Sequence, residues 1–483
     1  MTQPTTSENI RDIYPLSPMQ KGILFHNLFE PELDTYFKQM SYSIRGELDL
    51  DALRTAWQWL VDRHDILRTF FVSERDGQPL QVVRNQVPLP WAVLDFRGLD
   101  ETERRERLEA FLEEDTRKGF ELDQAPLMRI SVVRLGDRDY RFVWCVHHIV
   151  MDGWCQSQLV NEVMLFYEAA RAGRKPELQA PKPYKTYIKW LERQDMAAAE
   201  RYWRGLLQGA QFRPLSLRNG PRGDVDPDYR HASIRLSLRV TSALEDLARD
   251  RQLTLNTLLQ GAWAMVVGHH TQTRDVVFGA TVSGRPSDLE GVETMIGLFI
   301  NTLPVRIRIR PEAPLLDWLA EIQDRQAEQR GFEYTPLYEV RRWRSADLGT
   351  PLFDNILVFE NIPEVRMPAT QSGSLEVGDL KTRQRNSLPF TLLVGPEKEL
   401  LLLTYFDLRW FDGDRAHLIL RHLANLLEEL ARNPRARLAD LQFLNQTEVE
   451  QARECAQKWR QAGLERFKST KPKPVQFEPN PSD

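Results

Sequence analysis

A cluster of residues that break helices and strands, near the middle of the chain, constrains the fold more than any other feature. Residues 209–230 contain three glycines and three prolines among charged side chains. Segments of this composition connect packed units and seldom pack themselves. The chain has 483 residues, so this segment separates two parts of similar length. We therefore predict two lobes joined by an inter-lobe linker.

Strand and helix patterns alternate in both parts, which predicts an α/β fold. In the first part, Asp49 is expected to cap a helix whose apolar residues recur every three or four positions up to Arg63. The apolar, aromatic segment 140–146 is typical of a central strand, and a helix ending near Gly173 follows it. In the second part we predict a strand at 232–238, a helix with a capping box of Ser242 and Glu245, a helix at 256–267 and a strand at 275–282.

The balance of charges excludes several partners. Lysine and arginine total 64 and aspartate and glutamate total 69, which leaves a formal net charge of -5. A chain without a basic excess has no field to hold nucleic acid or an anionic membrane. No apolar run approaches the ~20 residues of a membrane span, and Met1 is not followed by a signal-peptide pattern. We expect a cytoplasmic protein that binds neither nucleic acid nor membrane.

The cysteines fit neither a disulfide framework nor a zinc site. There are three of them, Cys145, Cys155 and Cys455, and none belongs to a CxxC pair. This usage indicates reduced thiols and no structural metal.

Two pairs of adjacent histidines differ in context. His269 and His270 end an apolar helix, where carbonyl groups are expected to satisfy them. His147 and His148 instead leave the predicted strand 140–146 and precede Asp152 and Gly153, which open a helix. Because side chains alternate along a strand, one member of this second pair should face the interior and the other the opposite side. The two rings are therefore expected to have different tasks.

From the residues alone, the role of Asp152 stays open. It could orient a histidine as in a catalytic triad, ligate a metal or pair with a distant arginine. Two histidines and one carboxylate suit an iron site, but the spacing here does not. A noncatalytic arrangement of core histidines with a structural aspartate is a further alternative.

The order of several motifs resembles that of nonribosomal peptide synthetase condensation domains, which belong to the chloramphenicol acetyltransferase-like superfamily. His147 to Gly153 match the HHxxxDG signature of that family. Further similarity lies at Leu16–Gln20, Arg63–Thr69, Tyr184–Trp190 and Ile296–Thr302, with Thr186 in place of the usual aspartate. The segments at 333–337 and 349–354 depart further from the family pattern. Overall the resemblance extends from about residue 13 to about residue 448.

This resemblance implies two chloramphenicol acetyltransferase-like lobes in a V-shaped pseudo-dimer with a central tunnel. The expected boundaries are 1–178 for the N-terminal lobe, 179–230 for the inter-lobe helix and linker, 231–447 for the C-terminal lobe and 448–483 for a C-terminal tail. A crossover from the second lobe, which we place between residues 361 and 385, is expected to close the tunnel.

The implied activity is amide bond formation between a thioester donor and an amine acceptor, each carried on the phosphopantetheine arm of a carrier protein. His148 is expected to be the catalytic residue, as a base or as a positioner of the amine. His147 is expected to be structural. The family further implies an ion pair of Asp152 with Arg63, and Gly153 is expected to let the chain turn into the next helix.

Other residues and components follow from the same resemblance. Four residues are expected to line the substrate tunnel, namely Trp203, Asn301, Ser17 and Gln20, although Trp203 could equally be a core aromatic. The domain itself is expected to bind no cofactor or metal. Donor and acceptor carriers are the expected partners, with acyl-CoA as an alternative donor and an adenylation domain adjacent in the parent synthetase.

Alternative functions within the fold remain. A starter condensation domain would take a fatty acyl donor in lipopeptide synthesis, and the short segment before the first motif slightly favours it. A noncatalytic interface domain that recruits a tailoring enzyme is disfavoured by the intact His148. Heterocyclisation is disfavoured because that subfamily replaces the histidines by aspartates, and epimerisation is disfavoured by Gly153 and Trp154.

Overall fold

The structure is a computed structural model. It describes residues 9–450 except 30–35, 73–77, 217–228, 345–350, 361–374, 385–387, 446 and 449. Most of the predicted linker and of the predicted tail therefore lies outside the described residues. So do Gly349 and Thr350 of the last motif.

Among the described residues, the first part of the chain forms seven strands and six α-helices. The strands are β1 (Ile10–Pro15), β2 (Phe37–Gly46), β3 (Thr69–Val72), β4 (Leu80–Arg84), β5 (Trp91–Asp95), β6 (Met128–Arg134) and β7 (Asp139–His147). The helices are α1 (Pro18–Phe29), α2 (Leu50–Arg63), α3 (Glu101–Lys118), α4 (Gly153–Arg171), α5 (Lys185–Leu191) and α6 (Met196–Leu207). Asp49 caps α2 as predicted, by accepting a hydrogen bond from the backbone N–H of Ala52.

The second part forms the remaining elements. The strands are β8 (Tyr229–Arg235), β9 (Asp275–Val282), β10 (Asn301–Arg308), β11 (Asn355–Phe359), β12 (Leu375–Gln384), β13 (Phe390–Gly395) and β14 (Leu401–Asp407). The helices are α7 (Leu238–Asp250), α8 (Leu255–Thr271), α9 (Leu315–Arg330), α10 (Leu337–Arg344) and α11 (Gly413–Arg432). The predicted capping box is wrong, because Ser237 caps α7 and Ser242 lies inside that helix.

Each part of the chain has its own main sheet and its own core. One sheet has the strand order β12-β2-β7-β6-β5, and the other has the order β10-β9-β11-β13-β14-β8. A small third sheet, β1-β4-β3, accompanies the first. Two large groups of buried apolar side chains lie on the two main sheets. The predicted α/β fold with two lobes is therefore confirmed, whereas the V shape and the tunnel stay predictions.

The second lobe contributes one strand to the first lobe. Strand β12 pairs antiparallel with β2 at the edge of the first sheet, with Thr382 opposite Met40. The predicted crossover is confirmed for residues 375–384, whereas 361–374 and 385 lie outside the described residues and the closing of a tunnel stays a prediction. Residues 292–299 also pack into the core of the first lobe. The boundaries at residues 178, 230 and 447 stay predictions. Both segments belong to 231–447 in sequence but pack against the first lobe.

Within the described ranges, no helix combines the length and the apolar character that crossing a membrane requires.

Candidate active site

Strand β7 delivers the two adjacent histidines to opposite sides of the first sheet. Phe37 of β2 lies opposite His147, and Lys38 lies opposite Val146. His147 is fully buried, and its ring lies 6.4 Å from that of Phe120. His148 begins a short 3-10 turn and stays partly exposed. The prediction that the pair faces two sides is therefore confirmed.

His147 supports the turn that carries its neighbour. Its Nδ1 accepts a hydrogen bond from the backbone N–H of Ile149 at 3.2 Å, so its proton is on Nε2. Burial, and to a smaller extent His148, lowers the pKa of His147 to about 3. A ring that is neutral and fully enclosed is suited to a structural role, as expected.

His148 presents a free ring nitrogen. Its Nδ1 lies 3.3 Å from the carbonyl oxygen of Met151, which can only accept, so the proton is assigned to Nδ1. Within the described part of the chain, Nε2 has no partner and keeps its lone pair. Burial, followed by the ammonium of Lys38, lowers the pKa of His148 to about 4. The imidazole is therefore neutral at physiological pH and offers one acceptor.

Asp152 ties the loop after His148 to the second part of the chain. Its carboxylate caps α4 through the N–H of Cys155 at 3.3 Å and accepts the N–H of Phe299 at 3.0 Å. It also forms a buried ion pair with Arg285, at 3.2 Å. Gly153 is the first residue of α4, directly after this cap.

The predicted ion pair between Asp152 and Arg63 is wrong. Arg63 lies at the end of α2, which packs along α4, and its Nε is 3.2 Å from the carboxylate of Glu162. Its Nη2 donates to the carbonyl of Gln179 at 2.6 Å. Asp152 instead caps the N-terminus of α4 and faces the second part of the chain, where Arg285 is its partner.

Arg285 is a site residue that sequence reasoning missed. Its side chain is 5% exposed and lies over the ring of Phe299, with the guanidinium carbon 4.0 Å from the ring centre. The neighbouring Gly284 has a φ of +60°, and a Cβ there would lie 1.8 Å from the carbonyl oxygen of Phe299. The only sequence signal was a Ser-Gly-Arg-Pro turn directly after a predicted strand.

Ser17 and Gln20 support the turn that follows His148. Each accepts the backbone N–H of the other, at 2.9 and 3.3 Å, and both are buried at the start of α1. The Gln20 amide also donates to the carbonyl of Ile149 at 3.1 Å. These residues were expected in the tunnel wall. Because Gln20 is 0% exposed, it has no surface to offer a substrate.

Trp203 and Asn301 are likewise packed in the interior. Trp203 of α6 is 1% exposed and lies in an apolar cluster with Leu303 and Trp343. Asn301 donates to the carbonyls of Glu333 and Thr335 at 2.9 and 2.7 Å, which fixes the start of β10. The tunnel assignment is corrected for both residues, since their side chains are used in packing and hydrogen bonding.

The second histidine pair lies in the second lobe, at the end of α8. It ends α8 as predicted, but the partner of His270 is another histidine, His422, at 3.1 Å. The other ring nitrogen of His422 lies 3.2 Å from Glu448. The expectation that carbonyls satisfy His270 is therefore wrong. In the part of the chain that the structure describes, no group of three metal-ligating side chains is arranged to hold an ion.

Comparisons with known proteins agree with this fold and site. A family model described as Condensation domain matches residues 10–452. Linear gramicidin synthase subunits D and C of Brevibacillus parabrevis are 40% and 39% identical to the chain over 92% of its length. The chain spans only 9% and 6% of those two relatives.

Solved structures share the fold at low sequence identity. The first condensation domain of the calcium-dependent antibiotic synthetase has a TM-score of 0.74 at 19% identity, with 90% of this chain and 100% of that one covered. The X-domain from teicoplanin biosynthesis has a TM-score of 0.75 at 22% identity, with 92% and 99% covered. With the family model matched across nearly the whole described range, the chain belongs to the condensation-domain family.

Proposed function

We propose that the chain is the condensation domain of a nonribosomal peptide synthetase and forms an amide bond between two carrier-bound substrates. The donor would be an acyl or peptidyl thioester, and the acceptor would be the amine of an aminoacyl thioester. The observation that carries this proposal is the neutral, partly exposed imidazole of His148, whose Nδ1 is engaged and whose Nε2 has no partner among the described residues. Membership of the family and the synthetase relatives support it.

His148 is suited to hold the attacking amine. Its Nε2 can accept an N–H of the amine and so aim the nitrogen lone pair at the thioester carbon. A ring with a pKa of about 4 is a weak base at neutral pH. We therefore favour positioning over proton abstraction. The amine nitrogen forms the C–N bond, the C–S bond breaks, and the proton that the nitrogen loses ends on the departing thiolate.

The remaining components of the proposal follow from this chemistry. Because the donor arrives already activated as a thioester, the reaction requires neither a nucleophilic serine nor a metal from the domain. Donor and acceptor carrier proteins are the proposed partners, and a free acyl-CoA is the alternative donor. We propose the lobes at 1–178 and 231–447, joined by 179–230, with 448–483 leading to an adjacent adenylation domain.

A reconstituted condensation assay tests the proposal. The chain is mixed with an acyl- or aminoacyl-loaded donor carrier and an aminoacyl acceptor carrier, and amide product is measured by mass spectrometry. His148→Ala should lower the rate by about 100-fold, the scale of lost positioning. His417→Ala is the matched control, because His417 is an exposed histidine on α11.

The donor panel separates the alternatives. Product only with fatty acyl donors would identify a starter condensation domain. Absence of product with every donor would favour a noncatalytic interface domain, and an undiminished yield from His148→Ala would refute the role of this residue.

A further inference from the structure

A lysine lies beside His148 on the same side of the first sheet. Lys38 of β2 is directly opposite Val146 of β7, two residues before His148. The backbone N–H of His148 donates to the carbonyl of Tyr36 at 2.9 Å, so the pairing of the two strands continues to this point. Since side chains alternate, Lys38, Val146 and His148 share one face. Diagonal neighbours on such a face are ~7 Å apart, within reach of a long side chain.

The ammonium of Lys38 is held in place but is not saturated. Its Nζ donates to Oε1 of Gln156 at 3.4 Å, and Nε2 of Gln156 donates to the hydroxyl of Tyr42 at 2.8 Å. Gln156 lies in the first turn of α4, just after Asp152. An ammonium has three N–H donors. Among the described residues, Gln156 is the one hydrogen-bond partner of Lys38, so two donors remain available.

Two acidic groups lie near the pair, Glu360 of the second lobe and Asp152 at the start of α4. From the second lobe, half-buried Glu360 follows β11 and faces Lys38. Burial lowers the pKa of Lys38, and the carboxylate of Glu360 opposes this change. Asp152 is engaged by Arg285 and by backbone N–H groups. The cation of Lys38 in turn disfavours a charged His148, which keeps the Nε2 acceptor available.

We propose that Lys38 is a second catalytic residue, which donates an N–H to the carbonyl oxygen of the donor thioester. This inference rests on the proposed function. Amide formation requires an acceptor for the amine and a donor for the carbonyl oxygen, and the neutral ring of His148 and the ammonium of Lys38 supply this complementary pair on one face. As the amine nitrogen bonds to the carbonyl carbon, the C=O electron pair moves onto the oxygen beside Lys38. The oxyanion then returns that pair as the C–S bond breaks.

The test is a comparison of Lys38 variants in the condensation assay, with the full chain and preloaded carriers. Lys38→Met keeps an unbranched side chain of nearly the same length and removes the charge. We expect its kcat to fall by about 100-fold with KM for the acceptor carrier within about twofold of the wild type, because the contact strengthens as the oxyanion forms. Lys38→Arg should recover about tenfold. Lys38→Gln is a second neutral variant in case the methionine impairs folding.

Lys381→Met is the matched control. Lys381 is an exposed lysine of β12 whose partner Ser41 lies on the opposite face of the same sheet. Its removal should leave kcat unchanged. A second readout, NMR titration of labelled histidines with His148→Ala for assignment, should show the His148 pKa rising in Lys38→Met and unchanged in Lys38→Arg.

The outcomes separate this inference from the proposed function. An active wild type with unimpaired Lys38→Met and Lys38→Gln would overturn only the role of Lys38. A rise in KM at constant kcat would also overturn it, because it would indicate ground-state binding. Absence of amide from the wild type itself, with every donor, would overturn the proposed function and this inference together.

Discussion

Coupling between Asp152 and Arg285 is the feature of the site most open to a quantitative test. Both side chains are nearly inaccessible, at 0% and 5% exposed, and their closest atoms are 3.2 Å apart. Removal of one partner of a buried ion pair typically costs 3–5 kcal/mol, since the other charge is left without compensation. Asp152→Asn and Arg285→Met should each lower the free energy of unfolding by about this amount.

The double variant gives the sharper number. With both charges gone, the penalty of an uncompensated charge disappears, so the combined loss should be about 2–3 kcal/mol smaller than the sum of the single losses. Urea unfolding gives the free energy of unfolding of all three variants. Tryptophan fluorescence reports the transition, and the first transition is used if there is more than one. Condensation activity, recorded in parallel, shows whether the active-site loop is lost with the pair.

Arg63 supplies the control for this cycle. Its pair with Glu162 is 18% and 22% exposed, so Arg63→Met should cost only about 0–1 kcal/mol. Its effect should add to that of Asp152→Asn within about 0.5 kcal/mol, because the two residues share no partner. Additive losses for Asp152 and Arg285, together with coupling between Asp152 and Arg63, would refute the pairing described above.

Three further predictions concern the surroundings of the site. Gly284→Ala should lower the free energy of urea unfolding by about 3 kcal/mol, because φ is positive there and the added Cβ meets the carbonyl of Phe299. The control is Gly205→Ala, on the open face of α6, which should not destabilise the chain. Since the folded pKa of His147 is about 3, the unfolded state binds more protons below pH 6.5. The stability that depends on a neutral His147 should therefore be complete above that pH and fall by about 2 kcal/mol at pH 5. The pKa values of His148 and His270 are lowered as well, so the total loss should be larger, and the urea midpoint of His147→Gln should show a loss smaller by about 2 kcal/mol. Gln20→Ala should lower condensation rates by about tenfold with unchanged carrier KM, by releasing the carbonyl of Ile149.

Local features were predictable from sequence because their causes are local. The cap of α2 by Asp49 and the opposite orientation of the two histidines follow from helix termini and strand alternation within a few residues. The same local logic failed for Ser242, because Ser237, one turn earlier, offers an equivalent hydroxyl to the helix. Nothing within a few positions of either serine decides between them.

Contacts between distant segments were not predictable in this way. Asp152 and Arg285 are separated by 133 positions. The sequence contains many other arginines, and nothing in it identifies which of them pairs with this carboxylate. The place of β12 in the first sheet was anticipated from the family resemblance, because the sequence of a strand does not by itself identify the strand with which it pairs. Such choices are made by the packing of whole elements, which no window of residues contains.

The residues recognised in the motifs mostly build the active-site loop and do not line a substrate path. Ser17, Gln20 and Asp152 are all at most 1% exposed, and each satisfies backbone N–H or carbonyl groups of a buried turn. A buried polar group tolerates few replacements, because an unmet hydrogen bond costs about 1–3 kcal/mol. A partly exposed position outside the motifs is free of that restriction, since water can satisfy a polar group there. Discrimination among substrates should therefore reside in residues outside the motifs, on the face that His148 shares with Lys38.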